Sequence, residues 1–446
     1  MYALGEVPST PWLYPEEREA VVAGLLEHGL LKFDNARSLP LKSGGKTDVY
    51  INLRDARDAP ATIELLADLF SIPLRRLGIK RFVEVPDSVS CFAGPLAMKT
   101  GIPYLTIRED SKANRVADAR VIGHPAKFES VCIIDDVITN GESKIVPYQK
   151  CVDLNLNVQA LVVLVDRQQG WKKHLTAAGV DLPVWPGMTL HDVRRQLIQH
   201  EAMERCDPAK EKANPIIVAL DGKSWEEILP LVDQLRTTGC IFKVNDLLFN
   251  QGIERLLPEL SVYGRVMADL KCHDIKNTVE NICARVRMSE CEPWAITVHA
   301  SGGFEMIKAA VQALQLSGKW HTKILAVTVL TSLDQKTCEE IYVRQPLEQV
   351  LRLAEIAHAA GAHGLVCSPQ EVKELRNRYP DMILVSPGIR SPGKDTQDQQ
   401  RVDTPEAAIA NGSNHLVMGR QILQAEDPVA EVYRVLRDEL HISAFS

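Results

Sequence analysis

The chain has 446 residues, of which 45% are hydrophobic and 24% are charged, and its formal net charge is −7 at pH 7. This length and composition fit a soluble globular protein with two domains of ordinary size, or three small ones. The mild acidity argues against non-specific nucleic-acid binding and against a basic membrane-surface role. Any anionic substrate therefore needs positive charge that is concentrated locally.

The cysteines and the N-terminus predict a cytoplasmic protein. None of the ten cysteines forms a CxxC pair or has zinc-ligand spacing with histidine, and most lie in apolar runs such as VCIIDD and GLVCS. Buried, reduced thiols are the natural interpretation. The first residues lack a basic region followed by an apolar stretch, and no apolar run approaches the roughly 20 residues of a membrane span. We therefore expect no membrane partner and no nucleic-acid partner.

Residues 1–190 are predicted to form an α/β domain with a parallel sheet. Short β-branched runs alternate with helical patterns, as in parallel sheets buried on both faces. The predicted strands are RFVEVP (81–86), YLTIRE (104–109), SVCIIDD (130–136) and ALVVLVDR (160–167). Residues 191–213 are strongly charged and end in a run of Pro, Lys and Asn, which predicts a linker helix and a domain boundary.

Residues 214–446 are predicted to form a (β/α)8 TIM barrel. Eight apolar runs, most of them followed by helical patterns, recur along this part of the chain. They end near Asp221, Asn245, Lys271, Ala300, Leu330, Ser368, Ile389 and Arg420. Most of the unusual polar residues stand at these strand ends, which form the catalytic face of such barrels.

The stretch DLKCHD, at the end of the third barrel strand, concentrates charge. Strand alternation places Asp269 and Lys271 on the same side, and Lys243 ends the neighbouring strand. We predict an alternating array of Lys243, Asp269, Lys271 and Asp274 in a partly dry pocket. A structural ion-pair network is the plain alternative. Four alternating charges at strand ends favour an array that holds a lysine beside a reacting carbon.

The motifs of this half, taken together, resemble those of the orotidine 5'-phosphate decarboxylase family. They occur in the family's order: LD (220–221), FKV (242–244), DLKCHDIKNT (269–278), TVHASGG (297–303), VTVLTS (327–332), SPGIR (386–390), DQQRVDTPEAAI (398–409) and VMGRQI (417–422). One departure is Gln421, where the family's Gly-Arg-Pro has proline. The resemblance implies decarboxylation of orotidine 5'-phosphate to UMP in pyrimidine biosynthesis, without metal or cofactor.

The resemblance also implies the role of each catalytic residue. Lys271 would protonate C6 of the pyrimidine, and Asp269 would crowd the departing carboxylate. Asp274 would complete the array from the neighbouring subunit of a homodimer with shared active sites. We interpret His273 and His299 as packed or supporting residues. The implied substrate-binding residues are Asp221 and Lys243 for the ribose, Thr331 and Ser332 for the pyrimidine, Arg390, Gln399, Gly419 and Arg420 for the phosphate, and also Thr278.

A second motif, VCIIDDVITNGESK (131–144), lies in the first domain. Asp135 and Asp136 end a strand, where two carboxylates can accept the hydroxyls of a ribose. Thr139, Gly141 and Ser143 form a turn into a helix, whose N–H and O–H donors suit a 5'-phosphate. An ordinary strand–helix turn is the alternative.

This motif resembles the phosphoribosyl-pyrophosphate motif of type I phosphoribosyltransferases, and other segments narrow the resemblance to orotate phosphoribosyltransferase. LPLKSGGKTDVYINL (39–53) resembles its orotate loop, with Lys42 and Tyr50 at matching positions. Arg167, in VDRQQG, would contact orotate. The resemblance implies Mg²⁺ bound together with phosphoribosyl pyrophosphate.

The mobile catalytic loop of that family is altered here. In REDSKANRVADARVIG (108–123), Arg108 and Lys112 match, but Glu109 replaces a basic residue and Ala113–Arg115 replaces Asp-His-Gly. Phe92 stands where a lysine is common in the pyrophosphate loop. Arg115 or Arg120 would have to substitute for the missing cations.

The hypothesis is a UMP-synthase-like fusion, and two alternatives stay open. In the first, the N-terminal domain is a non-catalytic dimerisation or nucleotide-sensing module, which the loop substitutions favour. In the second, the barrel is a metal-dependent relative that acts on a sugar phosphate. HDIKNT, LTS and DQQRV speak against the second alternative.

Overall fold

A computed structural model describes residues 11–34, 39–41, 45–107, 121–200, 202–203, 206–288, 291–315, 321–393 and 403–445. The chain divides into two compact units, Met1–Glu204 and Arg205–Ser446. The division falls inside the segment predicted as a linker helix. That segment holds two helices instead, Leu190–Gln199 in the first unit and Pro208–Ala213 in the second. Arg194 anchors the first of these helices to its own unit through a buried ion pair with Asp48 at 2.7 Å.

The strands of the first unit are β1 (Leu31–Phe33), β2 (Leu39–Leu41), β3 (Gly45–Thr47), β4 (Val49–Ile51), β5 (Arg81–Glu84), β6 (Tyr104–Ile107), β7 (Val121–Ile122), β8 (Ser130–Ile138), β9 (Asn157–Asp166) and β10 (Val184–Thr189). Six of them form the main sheet, in the order β10-β9-β8-β5-β6-β7. The first five strands of this order are parallel, as predicted, and β7 is an antiparallel edge strand. The two short pairs β1–β4 and β2–β3 are antiparallel.

Alternation along the central strands separates two hydrophobic cores. Ile134 and Val162 belong to one core, whereas Ile133 and Val163 belong to the other. Successive side chains of a strand point to opposite faces, so an unbroken apolar run fits a sheet that is covered on both sides. The covering helices are α1 (Pro15–Glu27), α2 (Pro60–Leu77), α3 (Ser90–Thr100), α4 (Glu142–Asp153), α5 (Trp171–Ala177) and α6 (Leu190–Gln199), with a 3-10 helix at Leu53–Asp58.

The second unit is a closed barrel of eight parallel strands, as predicted, in which the first strand pairs with the last. The strands are β11 (Ile216–Ala219), β12 (Ile241–Val244), β13 (Arg265–Cys272), β14 (Ala295–His299), β15 (Lys323–Val327), β16 (Gly364–Val366), β17 (Ile383–Ser386) and β18 (His415–Met418). β15 and β17 end before the predicted positions near Leu330 and Ile389. Thr331 and Arg390 therefore lie on loops at the mouth of the barrel.

One inward-facing residue from nearly every strand, such as Ile217, Met267 and Leu325, fills the barrel interior. The surrounding helices are α7 (Pro208–Ala213), α8 (Trp225–Leu235), α9 (Asp246–Gln251), α10 (Ile253–Ser261), α11 (Lys276–Met288), α12 (Gly303–Gln315), α13 (Gln335–Tyr342), α14 (Pro346–Ala359), α15 (Val372–Arg378), α16 (Pro405–Ala410), α17 (Arg420–Leu423) and α18 (Pro428–Arg434). Because the interior is packed with side chains, the polar chemistry is confined to the loops and strand ends above it.

Two observations bear on the cysteine and membrane predictions. All ten cysteines are free thiols; eight are buried, and Cys91 and Cys206 are partly exposed. Within the described part of the chain, no helix is both long enough and apolar enough to cross a membrane.

Candidate active site

A cavity of about 730 Å³ opens at the carboxyl ends of the barrel strands. Most of the residues predicted for the decarboxylation site lie in its wall. They are Asp221, Lys243, Asp269, Lys271, Thr331, Ser332, Arg390, Gly419 and Arg420. The structure thus brings together side chains that are up to 199 positions apart in the sequence, between Asp221 and Arg420.

Four alternating charges lie on one side of this cavity. The Nζ atom of Lys243 donates to Asp221 Oδ2 at 2.6 Å and to Asp269 Oδ2 at 3.0 Å. The Nζ atom of Lys271 donates to the same Asp269 oxygen at 2.5 Å. The array therefore runs Asp221–Lys243–Asp269–Lys271, and Asp221 rather than Asp274 supplies its fourth charge within this chain.

The array keeps the Asp269 carboxylate ionised. Burial on its own would raise the pKa of Asp269, but the ammonium groups of Lys243 and Lys271 outweigh burial and lower that pKa to about 2. Burial would likewise lower the pKa of Lys243, and the carboxylates of Asp269 and Asp221 outweigh it and raise that pKa. Lys243 is buried, whereas the side chain of Lys271 is 35% exposed and faces the cavity. Lys271 is therefore the cation of the array that a ligand can reach.

Two supporting residues that the sequence analysis missed fix Asp269 in place. Thr297, fully buried on β14, donates its hydroxyl to Asp269 Oδ1 at 2.8 Å. Asn245 donates its side-chain amide to the backbone carbonyl of Asp269 at 2.5 Å. A threonine in the apolar run AITVH and an asparagine directly after FKV were the available signals, because a buried polar side chain needs a partner.

The backbone at Lys271 takes a left-handed conformation, with φ at +45°. Non-glycine residues rarely adopt this conformation, because the Cβ atom crowds the following carbonyl oxygen. The pairing of β13 with β14 shifts register between Ala268 and Cys272, and the Lys271 N–H donates to the Thr297 hydroxyl at 2.9 Å. The irregular strand end thus turns the lysine towards Asp269.

Two loops on another side of the cavity carry the predicted phosphate-binding arginines. Arg390 donates Nη1 to its neighbour's carbonyl at 2.7 Å, and Arg420 is exposed at the start of α17. Gln421 accepts from the Ser391 N–H at 3.0 Å and donates to the Ser391 hydroxyl at 2.6 Å. Gln421, which stands where the family has proline, therefore joins the start of α17 to the loop after β17 by hydrogen bonds. Gln399 lies outside the described residues.

Asp274 and Thr278 do not line the cavity of this chain. Asp274 is exposed, and its carboxylate accepts from the Ile275 N–H at 2.7 Å. Asp274 therefore lies outside the array of its own chain, and its contribution from a second subunit stays a prediction. His273 and His299 lie beside each other, with ring centroids 5.5 Å apart, and are not among the residues that line the cavity. Burial, followed by the charges of His273 and Lys271, lowers the pKa of His299.

A second cavity, of about 1090 Å³, lies in the first unit at the carboxyl ends of its parallel strands. It is lined by several of the predicted ribose-phosphate and orotate contacts: Tyr50, Asp135, Asp136, Thr139, Ser143 and Arg167. Gly141 adjoins the cavity as the residue before α4, with φ at +84°. A Cβ atom there would also lie 3.1 Å from Leu175, so glycine is required at this turn.

Asp135 is already engaged within the chain. Its Oδ2 atom forms a buried ion pair with Lys144, and its Oδ1 atom accepts from the Ser88 hydroxyl at 2.5 Å and from the Asp136 N–H at 2.8 Å. The sequence predicts a carboxylate that is open to a ribose, whereas in the structure Lys144 and Ser88 occupy it. Lys144 is the third residue of α4, and because solvent-exposed lysines are common at such positions, its place in the sequence does not indicate this contact.

The pKa of Asp136 lies well above the ordinary value for an aspartate. Burial, followed by the nearby charge of Asp135, raises the pKa of Asp136 to about 8. Its Oδ1 atom accepts from the Val137 N–H at 2.7 Å. At neutral pH this carboxyl group is therefore largely protonated, and it can donate a hydrogen bond as well as accept one.

The remaining predicted residues of the first unit fall into three groups. Arg167, which lines the cavity, is otherwise buried and donates Nη2 to the Thr47 hydroxyl at 2.9 Å. Phe92 packs in the core, with its ring 5.0 Å from that of Phe70, so it takes no part in a binding loop. The last group lies outside the described residues and comprises Lys42, Arg108, Glu109, Lys112, Ala113–Arg115 and Arg120. Among the residues that the structure does describe, no group of three or more His, Cys, Asp or Glu side chains could hold a metal ion.

Comparison with known proteins finds relatives of the second half. Residues 214–435 match the family described as "Orotidine 5'-phosphate decarboxylase / HUMPS family". Orotidine 5'-phosphate decarboxylase from Marinomonas sp. (strain MWYL1) is 42% identical over 221 residues, which are 49% of this chain and 93% of that relative. The enzyme of the same name from Haemophilus influenzae (strain PittEE) is 46% identical over 224 residues, 49% of this chain and 95% of the relative. A crystal structure of orotidine 5'-phosphate decarboxylase from Lactobacillus acidophilus is 36% identical and covers 50% of this chain and 98% of that chain, with a TM-score of 0.44.

Proposed function

Because the chain belongs to the orotidine 5'-phosphate decarboxylase family through its second half, we propose that the barrel cavity converts orotidine 5'-phosphate to UMP with its own side chains alone. The observation that carries the proposal is the ionised carboxylate of Asp269, held between Lys243 and Lys271 at the wall of an open cavity. Here a negative charge would face the substrate carboxylate, and a cation would lie next to the carbon that loses it. The proposed mechanism needs neither metal nor cofactor.

The proposed reaction transfers one proton. The bond between C6 and the carboxylate carbon breaks, CO2 leaves, and the electron pair of that bond stays on C6. Lys271 Nζ then gives a proton to C6, which forms the C6–H bond of UMP, and the neutral amine regains a proton from water. The ammonium of Lys271 stabilises the negative charge as it develops on C6, and Asp269 holds that ammonium in position.

Binding of the rest of the substrate is assigned to the other residues of the wall. Asp221 and Lys243 would hold the ribose hydroxyls, and Thr331 and Ser332 would contact the pyrimidine. Arg390, Gly419 and Arg420 would bind the phosphate, together with Gln399, which lies outside the described residues. Loops after the seventh and eighth strands are the usual phosphate position in such barrels, and an arginine fork matches phosphate oxygens.

We also propose that the barrel works as a homodimer with shared sites. Asp274 and Thr278 do not line the cavity of their own chain, and Asp274 is exposed with Ile275, which is 70% exposed, beside it. An exposed carboxylate that lies outside the cavity of its own chain is free to reach the site of a second subunit. Asp274 would then enter the partner's site, and Thr278 would bind the partner's substrate. The mostly buried free thiols support the predicted cytoplasmic location.

The phosphate assignment gives a direct test of the barrel's substrate. The variant Arg420→Ala should raise KM for orotidine 5'-phosphate about 10- to 150-fold, because a charge-assisted hydrogen bond contributes about 1.5–3 kcal/mol. Its slow turnover of orotidine, which lacks the phosphate, should equal that of the wild type. Arg437→Ala is the matched control, because Arg437 is an exposed arginine of the same unit that pairs with Asp438 at 2.7 Å. An equal loss on both substrates would contradict the assignment.

For the first unit, one candidate function is transfer of a phosphoribosyl group from magnesium-bound phosphoribosyl pyrophosphate to orotate, which would supply the barrel with its substrate. The cavity at the sheet edge, with Asp136, Thr139, Ser143 and Arg167 in its wall, supports this candidate. Together the two units would convert orotate to UMP.

A second candidate function is a non-catalytic dimerisation or nucleotide-sensing module. It is favoured by the ion pair between Lys144 and Asp135, which occupies one of the two carboxylates expected to hold the ribose. Binding of phosphoribosyl pyrophosphate with Mg²⁺, measured by calorimetry, and consumption of orotate separate the two candidates. If orotate is consumed about 10- to 150-fold more slowly than by a site with all its cations, the loss of one charge-assisted hydrogen bond would account for the difference. Binding of phosphoribosyl pyrophosphate without consumption of orotate would support the nucleotide-sensing module. Absence of binding would support a role in dimerisation alone.

A further inference from the structure

The residues that follow the two arginines of the barrel cavity are joined to each other. Arg390 and Arg420 line the cavity, and Ser391 and Gln421 come directly after them in the sequence. Ser391 donates its N–H to Gln421 Oε1 at 3.0 Å, and Gln421 Nε2 donates to Ser391 Oγ at 2.6 Å. Neither Ser391 nor Gln421 is among the residues that line the cavity. They therefore connect the two arginine loops without contacting a ligand in the cavity.

The side-chain amide of Gln421 is held at three points. A backbone N–H can only donate, so the Ser391 N–H fixes which atom of the amide is the oxygen. The amide nitrogen then has two hydrogens, of which one goes to the Ser391 hydroxyl and the other to Glu431 Oε1 at 2.8 Å. The amide thus has a single orientation, which sets the spacing between the two loops.

The hydroxyl of Ser391 anchors the same pair to the last helix of the barrel unit. Ser391 is 5% exposed; its hydroxyl donates to Glu439 Oε1 at 2.6 Å and accepts from Arg434 Nη2 at 3.0 Å. Arg434 also donates to Glu431 Oε2 at 2.9 Å and to Glu439 Oε1 at 2.7 Å. Glu431 and Arg434 belong to α18, and Glu439 follows that helix. Both loops are therefore fixed to one support.

Gln421 stands where the resembled family has proline. A proline ring fixes φ at the first turn of a helix without any hydrogen bond. A glutamine gives no such constraint, so the start of α17 needs another one in this chain. The hydrogen bonds from Gln421 to Ser391 and Glu431 supply it. Because two guanidinium groups match a phosphate only at a defined separation, this constraint bears on the ligand.

We propose that Gln421 and Ser391 are positioning residues that set the spacing of Arg420 and Arg390 for the 5'-phosphate of the substrate. The proposal rests on the function proposed for the barrel and deepens it, because it names what holds the phosphate-binding loops in register. Gln421 and Ser391 act as one unit, since breaking the contact from either side frees both loops.

Calorimetric titration of the full chain with UMP and with uridine, which lacks the phosphate, tests the proposal. Arg420→Ala identifies the barrel's binding event as the one that it weakens. Gln421→Met keeps the length of the side chain but removes its hydrogen bonds, and should raise the Kd for UMP about 5- to 30-fold, the range for one or two neutral hydrogen bonds. Ser391→Ala should have a similar effect, and the double variant should bind UMP no more weakly than the weaker single variant.

Uridine should bind the wild type and all three loop variants equally, which also shows that each variant is folded. Gln335→Met is the matched control, because Gln335 is an exposed glutamine of the same unit that donates to Glu339 at 3.1 Å, and it should leave both affinities unchanged. Equal losses for UMP and uridine would overturn the proposal, as would losses that multiply in the double variant.

The outcome for Arg420→Ala separates this proposal from the function on which it rests. A loss of UMP affinity in Arg420→Ala without a loss in Gln421→Met would overturn the positioning role alone. No loss in Arg420→Ala would overturn the phosphate assignment itself. Decarboxylation of orotidine 5'-phosphate by the wild-type chain, assayed beside the titrations, judges the proposed reaction independently of both.

Discussion

Each unit buries a lysine–aspartate pair whose aspartate lies within a parallel strand, near its carboxyl end, but the charges around the two pairs are balanced differently. In the barrel, Asp221 and Asp269 face Lys243 and Lys271, and the buried carboxylate stays ionised with a pKa of about 2. In the first unit, Lys144 forms an ion pair with Asp135, and the pKa of the neighbouring Asp136 is raised to about 8. A buried carboxylate without its own cation holds its proton. The number of cations thus decides whether such a pair can act as a charged catalytic array.

Net stability does not explain either pair, because the desolvation of buried ions offsets most of their attraction. In the barrel the array leaves one ammonium open to the cavity, which is what proton donation requires. In the first unit both oxygens of Asp135 are used internally, and Lys144 is the cation that pairs with it. The barrel wall thus presents a cation to its cavity, whereas the lysine of the first unit is neutralised.

The largest expected effect is on the cation of the barrel. Lys271→Ala removes the proposed proton donor and one of the two cations that keep Asp269 ionised, so kcat for decarboxylation should fall by at least roughly 10²–10⁴-fold. Steady-state kinetics on orotidine 5'-phosphate measure this, with Lys336→Ala, an exposed lysine of the same unit, as control. Retention of more than about a tenth of wild-type turnover would show that another group donates the proton. Ligand binding by the first unit should be unchanged.

The second prediction concerns the subunit boundary. If Asp274 completes the partner's array, inactive Asp274→Asn and Lys271→Ala chains should regain activity when they are mixed. A hybrid dimer then has one site with both wild-type groups, which gives about a quarter of the wild-type sites in an equal random mixture. Differently tagged chains allow the heterodimer to be isolated and assayed. An inactive purified heterodimer would mean that each barrel builds its site alone.

The third prediction compares how the contributions of two buried aspartates, Asp136 and Asp269, to stability depend on pH. The raised pKa of Asp136 means that the folded chain keeps a proton that the unfolded chain releases between about pH 4 and pH 8. Stability therefore falls as pH rises through that window. Asp136→Asn removes this loss, so its gain in Tm over wild type should be at least about 2 °C larger at pH 8 than at pH 5.

Asp269→Asn is the opposite case. The lowered pKa of Asp269 contributes stability that is fully present above about pH 4 and is lost only as pH falls towards 2. This variant should therefore lower Tm by similar amounts at pH 5 and pH 8. Calorimetric scans of the full chain measure both variants. A gain for Asp136→Asn that does not depend on pH would show that Asp136 is ionised in the folded chain.

The smallest effect concerns the backbone of the array. At φ +45° a Cβ atom is strained, so Lys271→Gly should have a free energy of unfolding about 1 kcal/mol higher than Lys271→Ala. Both variants lack the ammonium, so the comparison isolates the backbone. Chemical denaturation followed by tryptophan fluorescence measures the difference. Equal stabilities would mean that the strand end relaxes when the lysine side chain is removed.

The sequence predicted the barrel well because its signals are local. Eight apolar runs mark eight strands, and polar residues that follow a run fall on the catalytic face, so Lys243, Asp269 and Lys271 could be placed together. The hydrogen-bond partners of those residues could not be predicted from the sequence. Thr297 and Asn245 contact Asp269 across neighbouring strands; their segments indicate a polar side chain that needs a partner, but not which partner it has. In the first unit, the role of Lys144 depends on the turn at Gly141, which directs a helical lysine into the sheet edge rather than into solvent.

Thr297 has a consequence for how the barrel site moves. Its hydroxyl proton goes to Asp269, while its oxygen receives the backbone N–H of Lys271. The side chain of Lys271 is tied to Asp269 as well. Lysine and carboxylate are thus joined at two points, one through the backbone and one through the ammonium, and they form a small closed ring of contacts. The backbone bond holds the strand end beside Asp269, so the lysine side chain starts from a fixed point even when its ammonium leaves the carboxylate. If Lys271 is the proton donor, as proposed, its position at the cavity is set by the fold of the strand end.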